Sequence, residues 1–227
     1  MRRIPTVVAL LAIALCGAGC SLLAPIPTRT RFYSLSAIPA AGPSLESPTG
    51  DRRIVGLGPI KLPDYLNRSA RAIRLGPNQV RFDDDERWAE PLDTNVARVL
   101  SQDLAVKLAD TEVVTVPTFL GARRVFDVPV EILRFESTAT GVAELHARWA
   151  IEDGQTGDIL LIMETHLTEP ATAATADAAV AALSRALDHC SEEIAAAVVR
   201  LQATRPPAPA VTVEQPPASR RTRKSSR

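Results

Sequence analysis

Phe126-Asp127-Val128-Pro129-Val130-Glu131-Ile132-Leu133-Arg134-Phe135 is the stretch on which the fold turns. Phe126, Val128, Val130 and Ile132 alternate with other residues, and a period of two is that of a strand with one buried face. Leu133 and Phe135 then continue in the opposite phase. A slip of one residue predicts a β-bulge near Ile132. Directly downstream, Leu145, Ala147, Trp149 and Ile151 alternate against Glu144, His146, Arg148 and Glu152. After Gly154-Gln155-Thr156-Gly157, the residues Ile159, Leu161, Met163 and Leu167 alternate against Glu164 and His166. Two such runs joined by a short glycine-bearing turn predict an antiparallel hairpin with one dry and one wet face.

Outward from this block the pattern is α+β. Arg31 to Ser36, Ile54 to Leu62 and Glu112 to Val116 read as strands. Ala70 to Leu75 and Gln79 to Phe82 flank Gly76-Pro77-Asn78, which predicts a second hairpin. Pro91 to Leu108 places Leu92, Val96, Val99, Leu100, Leu104 and Leu108 on one helical face. A longer helix, about 175–203, carries a stripe of Val180, Leu183, Leu187, Cys190, Ile194, Val198 and Leu201. That stripe fits packing on the sheet or a seam to a neighbouring subunit. The expected architecture is α+β: a mainly antiparallel sheet of about six strands packed against two principal helices.

The ends of the chain have their own compositions. Met1-Arg2-Arg3 precedes an apolar run from Ile4 to Leu15, and Gly17-Ala18-Gly19 precede Cys20. A run of this length is a secretory signal rather than a membrane span, which needs about 20 apolar residues. The segment resembles a bacterial lipoprotein signal, with Gly17 where a leucine-like residue is usual. The resemblance implies a signal peptide at 1–19, a lipidated Cys20 and a tether over 20–30. Ser21, which is not aspartate, implies sorting to the periplasmic face of the outer membrane. The α+β domain then spans 31–203. Residues 204–227 join a proline-rich stretch to a basic end and read as a disordered tail. Residues 38–50 read as a loop.

Charge and cysteine content exclude several classes. Of 26 basic and 26 acidic residues, 20–204 hold 18 and 25, so the body is acidic while 205–227 is basic. An acidic, exported body argues against nucleic acid as a partner. Of three cysteines only Cys190 remains free once the signal and anchor are set aside, and its apolar stripe makes it a buried thiol.

No catalytic constellation is present. Gly-x-Ser-x-Gly, HExxH and CxxC are all absent, and Gly56-Leu57-Gly58-Pro59 lacks the spacing of a phosphate loop. His146 and His166 share the wet face with Glu144 and Glu164, a set that suits a metal. A slip in register would pair each histidine with a glutamate instead, and charged wet faces are usually only solvated. Asp83-Asp84-Asp85-Glu86 follows a strand and reads as a solvated turn, without the pattern of a calcium loop. No cofactor, metal or enzymatic activity is expected.

Three motifs remain. Phe32-Tyr33-Ser34-Leu35 follows the cysteine; Gly58-Pro59-Ile60-Lys61-Leu62-Pro63-Asp64-Tyr65-Leu66-Asn67-Arg68 lies midway; Trp88-Ala89-Glu90-Pro91-Leu92 opens the first helix. Together, in this order, they resemble the PqiC-type family, the auxiliary lipoproteins of ABC-type intermembrane transport systems. The basic tail departs from that pattern. The resemblance implies an MCE-domain protein and its ABC transporter as partners, with a lipid anchor in the membrane, and it allows a ring-like homo-oligomer. Leu62, Pro63, Tyr65, Leu66, Trp88, Pro91 and Leu92 are the candidate partner-binding or family-motif residues. Trp88 reads as core, whereas Tyr65 fits a docking surface and a core position equally. Two alternatives stand beside this: an envelope lipoprotein that binds cell-wall polymer through its tail, and a metal-dependent periplasmic enzyme using His146 and His166.

Overall fold

A computed structural model describes residues 29–37, 39, 53–117 and 123–204. The signal segment, Cys20, Ser21, most of the tether and all of the 38–50 loop but Pro39 lie outside the described residues, as does the tail beyond Thr204. Eight strands form one sheet: β1 (Arg31–Tyr33), β2 (Arg53–Lys61), β3 (Ala70–Gly76), β4 (Gln79–Trp88), β5 (Thr111–Thr115), β6 (Phe126–Thr138), β7 (Val142–Asp153) and β8 (Ile159–Pro170). Two helices, α1 (Leu92–Lys107) and α2 (Ala176–Thr204), pack against it, and a 3-10 turn spans Asp64–Leu66. The fold is α+β.

β6 is the hub. One edge pairs antiparallel with β7 from Phe126 to Ser137. The other edge is shared: β2 runs parallel to Val55↔Phe126 through Lys61↔Glu131, and β3 follows at Ile73↔Ser137. β2 and β3 thus lie end to end along one edge, and the bend over 62–69 carries the chain between them. The predicted bulge is present, with a register shift between Ile132 and Arg134. Pro129 has no N–H to give, and the register of β2 shifts beside it between Leu57 and Ile60.

The sheet is mixed rather than mainly antiparallel, and has eight strands rather than six. Hairpin neighbours β3–β4, β6–β7 and β7–β8 are antiparallel, whereas β1–β4, β2–β5, β2–β6 and β3–β6 are parallel. Parallel pairs need long connections, such as the passage from β2 through β3, β4 and α1 to β5. Alternation reports which face a residue takes, not strand direction.

Three local expectations are corrected. β1 ends at Tyr33, because beyond it the backbone of Leu35 is bound by side chains of α1 instead of by a strand. The acidic run is not a turn; it lies within β4, where the backbone pairs with both β1 and β3 and Glu86 is bound by Arg71. The dry face of β8 is only half covered. Trp149 and Ile151 on β7 are 2% and 0% exposed, but Ile159 and Met163 are 58% and 37% exposed. An irregularity puts Ile151 opposite Leu161 and Glu152 opposite Ile159, which moves Ile159 onto the wet face.

The core lies between this sheet and the helices. The α2 stripe from Val180 to Val198 is buried, so it serves the intramolecular core rather than a seam. Ala182, Ala186 and Ala197 are buried too, and their small side chains let the helix approach closely. Cys190 is fully buried among them, and burial pushes its thiol up to about 12. Gly56 sits between β5 and β6, where a Cβ would collide with the Asp127 carboxylate and stand 2.7 Å from Val116 Cγ2.

Candidate functional site

The three motifs, distant in sequence, meet at one corner of the sheet. Tyr33 pairs with Trp88 across β1 and β4, and the Ala89 N–H donates to the Tyr33 carbonyl at 2.8 Å. The Trp88 N–H donates to the carbonyl of Ser69, at the end of the bend, also at 2.8 Å. Leu35, Leu66, Trp88 and Leu92 are all buried in the common core. The motif residues therefore act first as a clasp.

Side chains of α1 complete the clasp. Asn95, fully buried, accepts the Leu35 N–H on Oδ1 at 3.2 Å. Arg98 donates to the Leu35 carbonyl at 3.1 Å, to Ser34 Oγ at 2.9 Å and to Asn95 Oδ1 at 2.8 Å. Glu90 holds the same guanidinium at 3.1 Å. The segment at Ser34 and Leu35 is thus fastened to a core helix by two polar side chains. Sequence periodicity missed both, since a buried Asn95 breaks an apolar stripe without naming its partner.

The bend has its own lock. Glu136 of β6 has no exposed side-chain surface and forms an ion pair with Arg74, while Arg134 stands 3.8 Å away. Burial, followed by the charge of Glu136, pushes the Tyr65 phenol up to about 12. Tyr65 is half-buried: it packs against the core and keeps part of its side chain at the surface. Trp88, 5% exposed, takes the core reading. Leu66 and Leu92 are buried, Leu62 and Pro63 are half-buried, and Pro91 is exposed.

The four-residue set of His146, His166, Glu144 and Glu164 does not form as a unit. The histidines do stand opposite one another, but Glu144 turns to Arg134 at 2.9 Å. No helix among the described residues is long and apolar enough to cross a membrane.

The closeness to known proteins agrees with this geometry. A protein of Xanthomonas campestris from the DUF330 family has the same fold, with a TM-score of 0.61 at 14% identity over 77% of this chain and 99% of that one. An uncharacterised protein known from a crystal structure gives a TM-score of 0.62 at 19% identity, over 74% of this chain and 98% of that one. No curated protein matches the sequence. The profile of the ABC-type transport auxiliary lipoprotein component family matches residues 33–195, from the clasp to the second half of α2. The resemblance carried by the three motifs is thereby borne out: the chain belongs to the family of ABC-type transport auxiliary lipoprotein components.

Proposed function

We propose that this chain is a non-enzymatic, outer-membrane-anchored periplasmic component of an ABC/MCE-type intermembrane lipid transport system. The family match over 33–195 carries the reading. Cys20 behind its signal, with Ser21 after it, supports the anchor and its destination. Several acyl chains on one cysteine hold a protein on a bilayer, since each buried methylene adds about 0.8 kcal/mol and one chain is marginal. The clasp supports a mechanical role, because Asn95 and Arg98 join the tether side of the domain to the core. The parts of the motifs left at the surface, Pro91 with the edges of Leu62 and Pro63, are the proposed meeting points with an MCE-domain partner. A ring of copies at the outer-membrane end belongs to the same proposal.

Density-gradient fractionation of cell envelopes tests the address. The wild-type protein is expected in outer-membrane fractions, and Ser21→Asp is expected to move it to inner-membrane fractions. Wild-type protein in the soluble periplasmic fraction contradicts the reading.

A further inference from the structure

The wet face of the β7–β8 hairpin, away from α2, brings together three donor groups that the clasp does not use. His146 and His166 are directly opposed in the strand register. Their rings stack with centroids 3.6 Å apart and planes 28° from parallel. Both Nε2 atoms face the same oxygen, Glu164 Oε1, at 2.7 Å from His146 and 3.4 Å from His166. All three donor atoms lie within 4.8 Å of one another.

We propose that His146, His166 and Glu164 bind a borderline transition-metal dication of the Zn2+ type. Two imidazoles and one carboxylate are a donor set that zinc accepts while keeping a fourth position for water. Ligands at about 2.0–2.1 Å in a tetrahedron stand roughly 3.3 Å apart, so the two observed separations bracket the requirement. Imidazole lone pairs lie in the ring plane, so the stacked rings must open to converge on one ion. His166, with 66% of its side chain exposed, has room to turn, whereas His146 is held at 25%.

The surroundings fit this use. Arg148 holds Glu164 through Oε2, at 3.3 Å, which leaves Oε1 as a single aimed donor. The hairpin fixes both histidine backbones on adjacent strands, with the buried Leu145 and Ala147 pinning β7 from the other side. By contrast, His189 meets only one carboxylate, Glu169, at 3.0 Å. Composition alone favoured a solvated face; the oxygen shared by both rings is what the structure adds.

The chain has three histidines, which makes the test clean. Full-length protein, purified in detergent without a histidine tag and stripped with chelator, is titrated with Zn2+ in a calorimeter. One Zn2+ per chain is expected. Binding should weaken about tenfold or more in His146→Ala and in His166→Ala, a loss that even outer-shell changes produce at metal sites. His189→Ala should bind as wild type. Histidine ring-proton resonances of the wild-type protein give a readout independent of any variant: two rings should respond to Zn2+ and the third should not. No binding by wild type overturns the proposal, as does binding that survives in the double variant His146→Ala/His166→Ala.

Discussion

Cys20→Ala yields a folded protein that leaves the membrane and fails to complement a strain lacking the wild-type gene. Folding is expected to survive because the buried core of the described residues runs from Leu35 to Val198. Localisation is expected to fail because nothing else described replaces the anchor. In the proposed reading, acyl chains on Cys20 supply the membrane affinity, at about 0.8 kcal/mol for each buried methylene. No helix among the described residues can substitute by crossing the bilayer. The expected effect is near-complete: signal moves from the membrane pellet to the soluble fraction, and transport-dependent growth returns to that of the deletion. Circular dichroism separates this outcome from unfolding. Full complementation by the soluble form would show that the domain works without its tether.

Trp149→Ala is expected to be the most damaging change inside the domain. Trp149 is among the largest fully enclosed side chains and joins β7 to the core beneath α2. Replacing a buried tryptophan by alanine costs about 3–5 kcal/mol, part from lost burial and part from the cavity left behind. A domain of this kind has about 5–15 kcal/mol in all, so the variant sits near the edge of folding. A polar relay adds to the damage. Trp149 Nε1 donates to Thr165 Oγ1 at 3.0 Å, and Thr165 donates in turn to Glu193 of α2. Trp149→Phe keeps most of the apolar contact but removes that donor, and should lose about 1–3 kcal/mol. Denaturant unfolding of both variants measures the two contributions. A loss below about 1 kcal/mol for Trp149→Ala would contradict the packing described here.

Side-chain phase was the legible part of this fold. The slip at Leu133 gave the bulge, the spacing of His146 and His166 gave their register, and the stripe from Val180 to Val198 gave the buried face of α2. Each of these depends on neighbours a few residues away. What stayed hidden depends on distant partners. Leu35 bonds Asn95 across 60 residues, and Arg74 bonds Glu136 across 62. Strand direction belongs to the same class, since the parallel pairing of β2 with β5 and β6 is set by long connections. The acidic residues of β4 opposed strand formation locally, but pairing of Asp83 with β3 and of Glu86 with β1 holds the run in the sheet. At the candidate site, the sequence showed the three motifs as units. Their meeting at Tyr33, Ser69 and Trp88 is made by backbone hydrogen bonds, which carry no residue signature.

The clasp and the anchor have meaning only if the domain meets a transport partner. The central claim is therefore tested most directly by co-purification. The native protein is recovered from gently solubilised membranes, and the bound proteins are identified by mass spectrometry. The expected result is an MCE-domain protein recovered together with components of an ABC transporter. Recovery of only unrelated envelope proteins, under conditions that keep the anchor intact, would contradict the account.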